Sequence, residues 1–474
     1  MLPDDVLLEI FDFHVNKYSD EDLEDLDFDV FKPEVEQWQR LTHVCPRWRN
    51  VVFESPRRLN LRLVCTPRTP ATTLDLWPSL PLFIRDSVDR TEDVDEIIAV
   101  LERKDRVVEI IIVFVDCSNL ENILAAMQAP FPELTSLTLA PDDEDEDGMV
   151  SVVPDSFLGG SAPRLEYLSL ERIPFPGLPK LLLSANHLVD LHLVNIPHSG
   201  YISPEAMVTA LSALTSLARL FLVFESPQSR PHWASRPPPP MTRSVLPALT
   251  RFWFKGVGEY LEDIAARIDA PHLNRLEIIF FNQIVFDAPQ FIQFINRSPT
   301  MKAFEKARVQ FEYGSSRVKL LSQTPGYGTL DVIIRCIEWD WQVSSMEQVC
   351  TSCLPLSTSE DLYIYEAPYS QQLWKSNIEI ENALWLELLQ PFTAVKDLYL
   401  SKEIASRIMP ALQELVEGRM TEVLPVLQNI FLEKLQPSET IQAGIQQFVA
   451  TRQATGHPIT VSCWDNSKED MASY

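Results

Sequence analysis

The chain has 474 residues, 46% of them hydrophobic and 23% charged. That is an ordinary composition for a folded protein, in a chain too long for one simple core, so several domains or an elongated repeat are expected. Acidic side chains outnumber basic ones by 67 to 40, a formal charge of -27, and such a field repels phosphate backbones, argues against nucleic-acid binding and favours basic partners.

The first elements are two short apolar pieces. In "LPDDVLLEIF", residues 2–11, Pro3 suits the first turn of a helix, where its missing N–H costs nothing. Asp4, Asp5 and Glu9 put negative charge toward the helix N-terminus. Val6, Leu7, Ile10 and Phe11 recur at helical spacing and predict one apolar face. The stretch "SDEDLEDLDFDVF", 19–31, reads as a solvated loop or weak helix. In "WQRLTHVCPRWRNVV", 38–52, Trp38, Leu41, Cys45, Trp48 and Val52 form a helical stripe. Pro46 interrupts it, so one helix should stop near Val44 and another start at Pro46. Three helices this short cannot bury Phe11, two tryptophans and several aliphatics completely, and leftover apolar surface signals docking.

The combination resembles an F-box of fungal type. The matching residues are Leu2 and Pro3 opening the first helix, Val6, Leu7, Ile10 and Phe11 along it, then Leu41, Val44, Cys45 and Trp48, with "VCPRW" the most specific string. The likeness covers residues 1–56, and the link from about Asp12 to Glu36 is longer and more acidic than in a compact F-box. What the resemblance implies is binding to the Skp-type adaptor of cullin–RING ubiquitin ligases through those ten residues. The chain would then be the substrate-receptor subunit, with Trp48 a candidate anchor if it faces outward. The other reading of the same helices is an N-terminal cap on the next domain.

From residue 57 a short phrase recurs: apolar, two variable, apolar, one variable, apolar. It appears as "LTSLTL" from Leu134, "LEYLSL" from Leu165, "LVDLHL" from Leu188 and "LARLFL" from Leu217. It continues as "LTRFWF" from Leu249, "LNRLEI" from Leu273, "VKDLYL" from Val395 and "LQNIFL" from Leu427. Its period-2 ending predicts a half-buried strand, and the spacing brackets and slightly exceeds that of leucine-rich repeats. Between the phrases "EDVDEIIAVLERK", "PEAMVTALSAL" and "EIASRIMPALQELV" predict helices, the last with Pro410 as a possible kink. Strand and helix in alternation give a parallel sheet with outer helices. Residues 281–394 carry the phrase least clearly. "TLDVIIRCIEW" and "EDLYIYEA" still read as strands there, within irregular repeats or a separate mixed domain.

No catalytic set emerges. "CTSC", Cys350 to Cys353, has the spacing of half a zinc site but no second pair follows. "PDDEDEDG", 141–148, lacks the glycine and terminal glutamate of a calcium loop. "SRPHWASRPPPPMTR", 229–243, reads as a stiff insertion between repeats. "FLGGSAP" is too short for a phosphate loop. The seven cysteines follow no framework spacing, and no signal peptide or membrane-length apolar run is present, so a reducing compartment, cytosol or nucleus, is expected. The expected fold is α/β: a helical module over 1–56, an irregular leucine-rich-repeat solenoid over 57–465, and a disordered tail over 466–474. The expected function is non-enzymatic, with no cofactor or metal. The partners would be the adaptor, cullin through it, and a protein target of unknown identity; a repeat scaffold without a ligase link is the alternative.

Overall fold

A computed structural model describes residues 2–15, 37–56, 58–59, 61–67, 71–77, 79–87, 94–142, 151–228, 242–282, 286, 288–322, 324, 328–367, 381–414, 423–433 and 439–464. The acidic stretch 19–31, nearly all of the 141–148 and 229–243 segments, and the 466–474 tail lie outside them. The chain divides into two compact units, Met1–Leu188 and Val189–Tyr474.

The first unit opens with helices α1 (Asp4–Val15), α2 (Gln37–Thr42) and α3 (Pro46–Glu54). Pro46 does start α3, and the Cys45 Sγ caps it by accepting from the Trp48 N–H at 3.5 Å. The repeats follow as β1 (Leu63–Cys65), β2 (Leu82–Ser87), α4 (Asp95–Leu101), β3 (Val107–Val115), α5 (Cys117–Ala126), β4 (Ser136–Pro141), β5 (Tyr167–Glu171) and α6 (Leu178–Leu182). Strands β1 to β5 pair in chain order, all parallel.

The second unit runs β6 (Asp190–Ile196), α7 (Pro204–Leu211), β7 (Arg219–Phe224), β8 (Ser244–Val245), β9 (Arg251–Gly256), α8 (Gly258–Ala265), β10 (Ile268–Asp269), β11 (Arg275–Phe280) and α9 (Pro289–Arg297). It goes on through β12 (Lys306–Glu312), β13 (Ser315–Leu321), β14 (Thr329–Arg335), α10 (Trp339–Ser352), β15 (Asp361–Glu366), α11 (Asn382–Leu389), β16 (Asp397–Leu400), α12 (Lys402–Glu414), β17 (Asn429–Glu433), α13 (Glu439–Ala454) and β18 (Thr460–Trp464). Helix α12 runs through Pro410.

Each of the eight phrases becomes a strand that starts two residues after its first apolar position. That leading residue is buried in every case, as are the two apolar residues of the strand proper. Burying one such side chain contributes about 1.5–3 kcal/mol, and a single repeat has no second layer of its own, so neighbours must stack. The residue just before a strand hands its carbonyl to the next strand's leading amide: Val108 O to Thr135, Thr135 O to Tyr167, Ala218 O to Arg251, Thr250 O to Arg275. The repeated part of the chain is therefore leucine-rich-repeat-like: parallel strands, one face covered by helices, repeated along each unit.

Three strands end on a shared irregularity. Phe114, Arg172 and Asn195 have left-handed φ of 58°, 53° and 50°, each seven residues after the leading apolar residue of its repeat. Two of them coincide with register shifts, at Val113/Val115 and Leu193/Ile196. Non-glycine residues pay a steric penalty there, and its recurrence marks a shared exit turn of the repeat.

Residues 281–394 contribute four described strands to the sheet of the second unit, whose order is β6-β7-β9-β11-β14-β13-β12-β15-β16-β17-β18. Strands β11 and β14 are parallel, as are β12 and β15, while β13 is antiparallel to both its neighbours. One inverted strand is thus inserted into a parallel array, joined to β12 through Tyr313 and Gly314. Gly314 has φ of 83°, a conformation that glycine adopts without steric cost. The helices close this unit with buried polar joints. The Glu262 carboxylate on α8 accepts from the Gln290 and Phe291 amides at 3.0 and 2.7 Å, satisfying otherwise orphaned donors at the start of α9.

Candidate protein-binding surfaces

In the first unit, α1 carries apolar side chains on two sides. Leu7, Leu8 and Phe11 are buried, and the Phe11 ring packs 4.8 Å from that of Trp48 on α3. The other side is open: Leu2, Val6, Ile10 and Phe13 are 51%, 41%, 47% and 77% exposed, and Val44 in the turn before α3 is 58% exposed. Steps of four, four and three put Leu2, Val6, Ile10 and Phe13 along one stripe. The helix is held by the Leu7 N–H donating to Pro3 O at 3.1 Å, by Arg47 donating to Leu2 O at 2.6 Å and pairing with Asp4, and by Arg58 pairing with Glu9.

The ten residues expected at an adaptor surface therefore separate. Leu2, Pro3, Val6, Ile10 and Val44 are exposed; Leu7, Phe11 and Leu41 are buried; Cys45 and Trp48 are half-buried. The single apolar face expected from Val6, Leu7, Ile10 and Phe11 is two faces, because consecutive helical positions point about 100° apart. Trp48 turns its ring onto Phe11. Phe13, which sequence reasoning passed over, extends the open stripe by one turn; its spacing from Val6 and Ile10 was the available signal. On the other side of this helical group, the Trp38 indole N–H donates to Arg62 O at 3.0 Å, and its ring meets those of Phe53 and Trp77 at 6.1 and 5.5 Å. The helices thus rest on the first repeat.

In the second unit, strand register lines up one open row: His192, Phe221, Trp253, Glu277, Asp331, Lys319, Arg308, Tyr363, Tyr399, Phe431 and Ser462. At one end His192 lies against Phe221 at 4.1 Å and Phe221 against Trp253 at 5.3 Å. At the other end the Tyr363, Tyr399 and Phe431 rings stack at 4.1 and 4.5 Å, with Trp464 edge-on to both tyrosines. Between them is a charged centre. Arg317 Nε donates to both carboxylate oxygens of Asp331, at 2.8 and 3.0 Å, a bond that makes the guanidinium hold its proton still more firmly.

Burial sets the electrostatics of this row. It raises the Glu277 carboxyl above the usual range, helped by neighbouring Asp331, and it lowers Lys319, with the guanidiniums of Arg317, Arg308 and Arg275 acting in the same direction. His192 is pushed down to about 4, first by burial and further by Arg219, against the opposing pull of Asp190. The unfolded imidazole titrates near 6.5. Between those values the unfolded chain binds the extra proton, so His192 costs stability as pH falls from 6.5 toward 4. Replacing His192→Phe should keep the stack on Phe221 and remove on the order of 2 kcal/mol of that acid loss. Urea midpoints of both proteins at pH 7 and pH 4.5 check this; a wild-type-to-variant gap that does not change with pH contradicts it.

These arrangements present shape and charge rather than reactive groups. Among the described residues no cluster of three or more His, Cys, Asp or Glu is placed to hold a metal ion, and no helix is long and apolar enough to cross a membrane. Cys350 and Cys353 are both buried, and burial pushes the Cys350 thiol far above its usual range, the opposite of a reactive or metal-binding thiolate. The glycines of "FLGGSAP" serve packing: Gly159 has φ of 67°, and a Cβ there would meet Pro130 at 2.6 Å.

No family model matches the sequence, and no curated protein matches it. Among solved structures, the chain has a weak similarity to the crystal structure of the leucine-rich repeat-containing protein LegL7 from Legionella pneumophila. The identity is 11%, over 82% of this chain and 97% of that one, at a TM-score of 0.25. A likeness of that size bears on no detail, and the functional reading rests on the chain's own geometry.

Proposed function

We propose that this chain is a non-enzymatic substrate receptor of a cullin–RING, SCF-type ubiquitin ligase. The open side of α1 docks onto a Skp-type adaptor and, through it, onto cullin. The strand row of the second unit holds a protein target, and ubiquitin transfer is the work of other subunits. The observation that carries the reading is the uncovered stripe of Leu2, Val6, Ile10 and Phe13 on a helix whose opposite side is anchored by Leu7 and Phe11. Apolar surface held in a fixed geometry at no cost to the module's own core is what a partner can cover.

The test is capture of a purified Skp-type adaptor by the wild-type chain and by a Val6→Asp, Ile10→Asp double variant. Both side chains are exposed, so circular dichroism should be unchanged. Burying two carboxylates in an apolar interface should cost more than truncating an anchor, itself about 2 kcal/mol, and capture should vanish. Equal capture by both proteins would remove α1 from the interface. A second reading, an N-terminal cap on a repeat scaffold without a ligase link, is favoured by the seating of Trp38 on Arg62 and Trp77.

A further inference from the structure

The inserted strand pair β12–β13 carries an unusual charge pattern. Alternation sends Ala307, Val309, Phe311, Ser316, Val318 and Leu320 into the core and leaves Lys306, Arg308, Arg317 and Lys319 on the open side. Arg308 and Lys319 are directly opposite each other in the antiparallel register. Like charges in that position destabilise a sheet. Arg317 sits diagonally across from Arg308, and Arg275 also acts on Lys319. Four cations therefore meet around two carboxylates, Glu277 and Asp331, and the second of these is taken up by Arg317. This positive island stands in a chain of net charge -27.

The island is continuous with the aromatic ladder. Lys306 and Arg308 lie over the Tyr363 ring, at 4.6 and 5.6 Å from its centroid. Beyond Tyr363 the half-buried Tyr399, Phe431 and Trp464 form an apolar shelf on the same row. Net charge favours basic partners for the chain as a whole; this face reverses the sign locally.

We propose that the open face from β13 to β17 binds an extended acidic segment of a partner protein, one carboxylate seated between Arg308 and Lys319 and an adjacent aromatic or apolar side chain on the Tyr399–Phe431–Trp464 shelf. The inference rests on the receptor reading in taking this face as the target site, and it names the target's chemistry. The opposed cations explain themselves under it: a bound carboxylate relieves their repulsion and makes charge-assisted bonds with both. The ladder adds contact area that does not depend on charge.

The probe is a fluorescein-labelled ten-residue peptide of aspartate and glutamate with one central phenylalanine, read by anisotropy against the full chain. A copy with every acid replaced by lysine is one control, and inorganic phosphate as competitor is another. Wild type should bind the acidic peptide, more weakly as salt rises, and should ignore the lysine copy. Arg308→Gln with Lys319→Gln should weaken binding by about tenfold or more while the thermal midpoint holds or rises, since a like-charge contact is removed. Replacing the peptide's phenylalanine by serine should weaken binding to wild type, and Phe431→Ser should abolish that difference. Absence of binding by folded wild type, equal binding by the double glutamine variant, or displacement by millimolar phosphate with no effect of the phenylalanine would each overturn the proposal. Adaptor capture through Val6 and Ile10 is measured separately, so a failed peptide experiment with intact capture removes only this inference.

Discussion

Trp38→Ala should lower the stability of the first unit by about 3–5 kcal/mol, the range for deleting a fully buried large aromatic. The side chain is 2% exposed. It packs between Phe53 of α3 and Trp77, and its indole donates to Arg62 O. The substitution removes a large apolar volume, two edge-to-face ring contacts and the partner of a carbonyl. It strikes the place where the opening helices meet the first repeat, so its consequences should spread both ways. Calorimetry should show the lower-melting transition moving down by several degrees, and amide exchange should quicken in α2, α3 and β1 together. A loss below about 1 kcal/mol, or faster exchange confined to α2, would mean that the helices fold and move apart from the repeats.

Phe311→Ala should be as costly in the second unit, again about 3–5 kcal/mol. Phe311 is fully buried on the inner side of β12, with its ring 5.2 Å from Trp339 on α10 and 5.9 Å from Trp385 on α11. The inverted strand is part of the sheet only if β12 is clamped between its neighbours and these helices. Loss of the ring should therefore lower the whole cooperative transition of the unit, seen as a lower urea midpoint by both fluorescence and circular dichroism. A variant that loses only the tryptophan signal near Trp339, with the far-ultraviolet transition in place, would mark β12–β13 as an appendage.

Much of this architecture is written in the sequence. The phrase that begins at Leu134, and recurs seven more times, identifies its strand to within two residues, because a leading apolar residue, a turn and a half-buried strand have a fixed geometry. "VVEIII" from Val107 obeys the same rule and becomes β3, though three consecutive isoleucines hide its period. The pair β12–β13 has clear period-2 alternation on either side of Tyr313 and Gly314. What is not local is its placement: β14 returns beside β11, and β12 ends beside β15, an order set by pairing over long sequence separations. The charged row was illegible for the same reason, since Glu277, Asp331, Lys319 and Arg308 become neighbours only through that order.

The opening helices show another limit. A helix of three turns with apolar residues at 6, 7, 8, 10, 11 and 13 has no polar side to orient it. Which residues turn inward is decided by Trp48, far along the chain, whose ring covers Phe11 and leaves Val6 and Ile10 open. Spacing supplied the residues of the stripe; only packing could sort inner from outer.

The most direct measurement of the receptor claim is light scattering behind size exclusion on the wild-type chain mixed with a Skp-type adaptor. The proposal predicts a one-to-one complex that persists through the column and is lost with Val6→Asp, Ile10→Asp at unchanged circular dichroism. Two separate peaks from a well-folded wild-type chain, at concentrations well above micromolar, would contradict it and leave α1–α3 as the cap of a repeat scaffold.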